Sequence, residues 1–259
     1  MEELKRSSFQ DLIRAVEDLP PSVVALLRKT IDLNKKAAEV GLAQPLGLGI
    51  GFHQSHDEGS LDMTHYVSSV AAAGSDARMS GYSLEVMSSA GSGNQGIVAT
   101  MTVVAYCEYF DVEEDRLLRA LALSHLVTMY VTTHVGALSA LCGAAIKAGI
   151  GAACGLTYAM GGEMADICRA VKIAVASISG MVCDGAKPGC ALKVSSSSEV
   201  ALRAASLAMK KVQVSDADGI VASTAEETIR NLARLERSMT AVDDEIVQIM
   251  EQKFRQHRK

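Results

Sequence analysis

Cys183 and Cys190 stand seven positions apart in the stretch Met181-Val182-Cys183-Asp184-Gly185-Ala186-Lys187-Pro188-Gly189-Cys190. Proline fixes φ and glycine reaches conformations closed to other residues, so Gly185, Pro188 and Gly189 predict a rigid bend. The bend should join a helix ending near Met181 to one beginning near Ala191, and it can aim both thiols at one point. A third thiol, Cys142 in Ser139-Ala140-Leu141-Cys142-Gly143-Ala144, lies in an apolar, small-residue segment able to pack against that bend. Three thiolates are too few for a closed structural metal site, so the chemistry they suggest is a metal with an open coordination position. The spacing matches neither a zinc ribbon nor a bacterial ferredoxin. Taken singly, each cysteine also reads as a small buried hydrophobe.

A second chemical stretch is Gly91-Ser92-Gly93-Asn94-Gln95-Gly96, directly before the apolar run from Ile97 to Tyr106. Glycines at a helix N-terminus let backbone N–H groups face an anion, with the helix dipole adding favourable potential. Gly91, Ser92, Gly93, Asn94 and Gln95 are therefore candidates for a carboxylate or phosphate cradle, although such a turn can also be only a turn. No Rossmann fingerprint is present, because no alternating strands and helices surround these glycines. Beside the cysteines, Asp184 and Lys187 could tune a centre or touch a substrate; equally, Asp184 could cap the turn and Lys187 point to water. His134 could donate or accept a proton, or could be a satisfied core histidine. His53 and His56 read as exposed loop residues with Asp57 and Glu58, and Cys107, Cys154 and Cys168 as core.

These residues must be positioned by helices. Phe9 to Leu19, Val23 to Val40 (ended by Gly41), Leu61 to Ala77, Leu117 to Val131, Met164 to Ser179, Glu199 to Lys211, Thr224 to Met239 and Val242 to Phe254 carry helical periodicity. Gly47 to Gly51 reads as extended, Ser195 to Ser198 as a break, and Asp76 with Arg78 as an ordinary charge pair. Nearly half of the 259 residues are hydrophobic while aromatics are few and tryptophan is absent. The core must therefore be built of Ala, Leu, Val, Ile and Met, which favours closely packed helices. No run of alternating strands appears, so the expected fold is all-α in a single compact domain.

The net charge of −5 gives no reason to expect a nucleic-acid partner, and the basic tail from Lys253 to Lys259 reads as a solvated helix end. The charged start from Met1 to Arg14 is no signal peptide, and the apolar stretches are interrupted by His125 and Lys147. A cytoplasmic protein without a membrane partner is expected, its six cysteines free or metal-bound.

The cysteine turn, together with Ser89-Ala90-Gly91-Ser92-Gly93-Asn94-Gln95-Gly96-Ile97, Asp76-Ala77-Arg78-Met79 and Leu138-Ser139-Ala140-Leu141-Cys142-Gly143, resembles the catalytic domain of the L-cysteine desulfidase family. That family is related to the iron-sulfur-dependent L-serine dehydratases through their alpha domain. The resemblance runs from about Leu33 to the region of Arg237. It implies one serine dehydratase alpha-like catalytic domain over 1–259, with 1–22 a lead-in and 240–259 a C-terminal helix. It further implies a 4Fe-4S cluster on Cys142, Cys183 and Cys190, leaving one iron without a protein ligand. The implied function is an iron-sulfur lyase that performs α,β-elimination on L-cysteine, L-serine or a related β-substituted amino acid, giving pyruvate and ammonia. Under that implication Gly91, Ser92, Gly93, Asn94, Gln95 and Asp184 bind substrate, and Lys187 and His134 are the catalytic candidates.

The sequence also departs from the resembled pattern. Thr132 and Ala137 stand where the family carries a lysine and an arginine, and Thr102 where it usually carries proline. Family members have a further N-terminal portion, and this chain begins roughly where their second part would. A fragment, or a subunit that pairs with a separate N-terminal-lobe subunit or with itself, is therefore expected. The missing basic residues keep open a non-catalytic iron-sulfur or assembly subunit, and the three thiols with His134 keep open a zinc-binding structural protein.

Overall fold

A computed structural model of the protein describes residues 2–57 and 62–256. Its elements are α1 (Glu2–Arg6), α2 (Phe9–Ala15), α3 (Pro21–Ala43), α4 (Ile50–Ser55), α5 (Met63–Met79), α6 (Gly93–Tyr109) and α7 (Glu114–Val135), then a π-helical turn (Ala144–Gly149) that runs into α8 (Ile150–Ala159), followed by α9 (Met164–Ile178), α10 (Cys190–Met209), α11 (Ala225–Arg237) and α12 (Thr240–Gln256). The fold is all-α; β-type pairing among the described residues is limited to two isolated bridges. Several helices begin where their sequence provides a cap. Asp62 accepts from His65 N, Ser92 from Gln95 N and Thr224 from Glu227 N, while Pro21 sits at the first turn of α3, where its missing N–H does no harm.

The small residues of α5 are buried from Val67 to Ala77, and the helix packs against α3, α4, α6 and α10. Alanine offers little apolar area, so stabilisation on the order of 25 cal/mol per Å² requires helix backbones to come close. Glycines allow this. A Cβ at Gly41 would lie 2.1 Å from the Ala73 carbonyl oxygen. Gly41 therefore lies inside α3 and lets α5 approach, where its helix propensity had suggested a stop. On α8, Gly151 and Gly155 form a stripe against α7, where a Cβ would lie 2.4 Å from Ser124 O and 2.7 Å from Ala120 O, respectively. At the other end of α7, buried Tyr130 meets Phe9 edge-on at 5.6 Å and docks α2.

Other local expectations change for identifiable reasons. Ser195 to Ser198 do not break the chain but lie within α10, because Ser197 and Ser198 donate back to the carbonyls of Lys193 and Val194 and so bury their hydroxyls within the helix. Gly47 and Gly49 have positive φ in a turn that starts α4. His53 and His56 are exposed, as expected, but on α4 and its C-terminal cap; His56 stacks on Phe52 at 4.2 Å. Glu58 of the expected polar loop, the expected helix start at Leu61 and the end of the basic tail at 257–259 lie outside the described residues.

Candidate functional site

After α7 ends, residues 140–142 run antiparallel to residues 181–183 of the turn between α9 and α10. Cys142 N–H donates to Met181 O at 2.8 Å and Cys183 N–H to Ala140 O at 2.7 Å, which sets Leu141 opposite Val182. Side chains alternate along extended backbone, so Cys142 and Cys183 project from one face as diagonal neighbours. Burial pushes the Cys142 thiol up, the Ala145 and Ala144 N–H groups pull it down, and Cys183 pushes it up again through its own charge. Cys190 opens α10 on the far arm of the bend, its Sγ 3.6 Å from Gly185 O. Among the described residues no three His, Cys, Asp or Glu side chains stand close enough to hold a single metal ion.

The bend is braced by Asp184. Lys187 Nζ lies 2.5 Å from its carboxylate, and Lys193 pairs with the same oxygen while donating to Val182 O at 2.8 Å. Partial burial pushes the Asp184 carboxyl up, but hydrogen bonds from Lys187 and Lys193 outweigh it and hold the pKa at about 2. Asp184 and Lys187 are thus each other's partners at the rim of the turn.

The glycine stretch is positioned from three helices. Asn34 of α3 accepts from Met87 N–H at 2.8 Å and donates to Thr100 Oγ1 at 3.0 Å and Gly96 O at 3.2 Å. His125 of α7 bridges Ser89 Oγ at 3.0 Å and Thr100 Oγ1 at 3.1 Å, and burial pulls its pKa down to about 4. Ala90 and Gly91 then take positive φ, 48° and 84°, and turn the chain so that Ser92 caps α6. Over the first turn of α6 lies Arg78, from the end of α5. Its Nη1 donates to Asn94 Oδ1 at 3.2 Å, and a Cβ at Gly93 would lie 2.2 Å from its Nε. A guanidinium laid across a helix N-terminus is a site suited to a carboxylate. Arg78 does not pair with Asp76, whose buried carboxylate instead accepts from Gly51 N–H at 2.9 Å and fixes the start of α4.

Gln95 joins the two halves. Its side chain is buried, with the residue 4% exposed, and its Oε1 has no partner among the described residues. A Cβ at Gly143 would come within 2.5 Å of Gln95 Nε2, so Gln95 lies against the residue that follows Cys142. The cradle and the paired cysteines therefore share one region.

His134 is elsewhere in its contacts. Its ring meets Tyr130 at 4.8 Å, and burial lowers its pKa, assisted by Lys5 and Arg230. The four ligands of the zinc alternative are not assembled among the described residues. Thr132 turns its hydroxyl back to Thr128 O at 2.8 Å. Cys107 and Cys154 are buried and Cys168 is half-buried. Burial pushes Cys107 to about 12 and Cys168 to about 11, and Cys154 well upward. Two cations were not singled out from the sequence as site residues. Arg78 could have been found as the basic residue in the last turn of a helix leading into the cradle, and Lys147 as the one charge in an apolar run.

Comparison with known proteins adds a family. The family model described as serine dehydratase alpha chain matches residues 5–248. The chain is also similar to UPF0597 proteins. One from Alkaliphilus metalliredigens is 42% identical over 252 residues, covering 95% of this chain and 56% of the relative. One from Clostridium tetani is 40% identical, with 96% and 59% covered, and one from Geobacter sulfurreducens is 41% identical, also with 96% and 59% covered. The chain thus spans less than three-fifths of the length of these relatives. No solved structure matches it. No helix among the described residues is long and apolar enough to cross a membrane.

Proposed function

The chain belongs to the serine dehydratase alpha chain family, and from that premise we propose that it is the catalytic part of an iron-sulfur lyase acting on a small β-substituted amino acid such as L-serine or L-cysteine. The observation that carries this reading is the contact of Gln95, from the cradle, with Gly143, the residue next to Cys142. An amino acid has a carboxylate at one end of its backbone and an ammonium beside it. Arg78 and the N-terminus of α6 suit the carboxylate, and the unpartnered Gln95 Oε1 suits the ammonium. With both groups held, the β-substituent is directed toward the face that bears Cys142 and Cys183.

The donor set suits a cluster: soft thiolates from Cys142, Cys183 and Cys190 match iron and sulfide. Such a cluster, when bound by three thiolates, supplies an iron with an open position that acts as a Lewis acid on a departing hydroxyl or thiol. Loss of the α-proton and the β-substituent leaves aminoacrylate, which takes up water to give pyruvate and ammonia. Asp184, with Lys187 and Lys193, keeps the Cys183–Cys190 turn in shape. The remaining wall of the substrate pocket is assigned to a second lobe, from a separate subunit or another copy of the chain.

Oxygen-free purification followed by iron and acid-labile sulfide analysis tests the centre. Pyruvate release from serine and cysteine, with and without a candidate partner, tests the reaction. Iron and sulfide that are lost together in the Cys142→Ser, Cys183→Ser and Cys190→Ser variants support the reading. Zinc without sulfide, or a cluster-loaded complex that releases no pyruvate from any β-substituted amino acid, overturns it.

A further inference from the structure

Lys147 lies in the π-helical turn that follows Cys142, and only 1% of it is exposed. Its Nζ donates to Gly136 O at 2.7 Å and Ala137 O at 3.0 Å, two carbonyls just past the C-terminus of α7. The third N–H has no acceptor among the described residues. Burying an ammonium costs several kcal/mol unless a negative charge answers it, and two neutral carbonyls answer only part. The negative end of the α7 dipole adds some compensation.

Burial pulls the Lys147 pKa down, and Glu236, with Cys142 and Cys183 when these are ionised, opposes that pull. Glu236 already accepts from Ala140 N–H at 3.3 Å, on the segment paired with Cys183. Gly143 completes the enclosure, since a Cβ there would lie 3.5 Å from Lys147 Cδ as well as against Gln95. Gly143, the residue after Cys142, thus lies between the Lys147 stem and the Gln95 amide. A clamp on the end of α7 alone would need only a neutral donor.

We propose that Lys147 is a positioning residue whose ammonium offsets the negative charge of the thiolate-held centre, so that the fold retains that centre in an otherwise apolar interior. The inference rests on the preceding reading that Cys142 and Cys183 hold an iron-sulfur cluster. Partners that orient or neutralise metal ligands typically change metal retention by about 10- to 100-fold when removed.

The test compares the full chain with Lys147→Gln, which keeps a donor but no charge, Lys147→Met, which keeps neither, and Lys147→Arg, which keeps the charge. Iron and sulfide per chain are measured after anaerobic reconstitution, then the half-time of cluster loss to a chelator, then the melting temperature of the cluster-free chain. The expected result is cluster loss on the order of tenfold faster in the Gln and Met variants, partial rescue by Arg, and cluster-free melting temperatures close to wild type. Neutral variants that keep iron and sulfide as long as a loaded wild type overturn this inference alone. So does a parallel loss of melting temperature and iron in both neutral variants, which assigns a structural clamp. A wild-type chain that takes up no iron removes the preceding reading, and this inference with it.

Discussion

A buried carbonyl oxygen without a donor costs about 1–3 kcal/mol, and among the described residues nothing donates to Gln95 Oε1. A substrate ammonium would satisfy it, so binding recovers what folding leaves unmet. Gln95→Leu should therefore leave the ligand-free melting temperature unchanged or higher while raising KM by roughly 10-fold or more, with iron content unaffected; calorimetry and kinetics on one preparation check both halves. His125 sets a pH limit on the same region. Its folded pKa of about 4 lies below the ordinary 6.5, so the unfolded chain binds the proton first. The resulting stability is complete above pH 6.5, falls as pH drops toward 4, and amounts to roughly 3 kcal/mol over that window. Thermal melts from pH 7.5 to 4.5 should show a steeper fall for wild type than for His125→Gln. At this scale side-chain type alone singles out candidates in the sequence, as with Asn94, Gln95 and the three cysteines, whose roles belong to the proposal. The sequence was least legible for Arg78 and Lys147, because a cation's role depends on what lies across from it, and their partners, Asn94 and the carbonyls of residues 136 and 137, are brought by other turns of chain.

Two glycines of α6 separate site from scaffold. The atoms nearest a Cβ at Gly93 belong to the flexible Arg78 side chain, whereas one at Gly96 would lie 1.9 Å from the Met87 carbonyl oxygen. Gly93→Ala should fold with stability within about 1 kcal/mol of wild type. If Arg78 holds the substrate carboxylate as proposed, displacing it removes a charge-assisted hydrogen bond of about 1.5–3 kcal/mol, so KM should rise roughly 10- to 100-fold. Gly96→Ala should cost about 3 kcal/mol or more and yield little folded protein. Equal loss of stability in both variants would show that Arg78 is part of the packing and not of the cradle. The same contrast explains what was readable among the helices. The glycine stretch reads as the N-terminus of a helix from the sequence, and its start at Gly93 is set by a local cap, Ser92. Gly41 was misread as a stop because nothing nearby in sequence reveals Ala73, which it must let through, and the serines of α10 were misread because their carbonyl partners exist only once the helix has formed.

At the scale of the molecule, apolar side chains stay uncovered around the cysteine turn. Leu138 is 94% exposed and Leu192 51%, and the half-exposed Met250 of α12 brings its Cε to 3.4 Å from where a Gly185 Cβ would be. Single exposed leucines need no explanation, but several beside one turn fit a surface that the proposed second lobe would cover. The relatives, of which this chain spans 56–59%, contain enough further sequence to supply that body. A polypeptide corresponding to their remaining portion should bind the chain without oxygen, slow cluster loss and raise pyruvate release. Leu138→Asp and Leu192→Asp alter exposed positions, so they should weaken that association while leaving the stability of the isolated chain within about 0.5 kcal/mol of its original value. Analytical ultracentrifugation of the mixture resolves the alternatives. A mixed complex lost in both variants assigns the surface to the second lobe, and self-association lost in both assigns it to another copy of the chain. Undiminished binding by both variants would move the interface away from the cysteine turn and leave the open side of the substrate pocket to solvent.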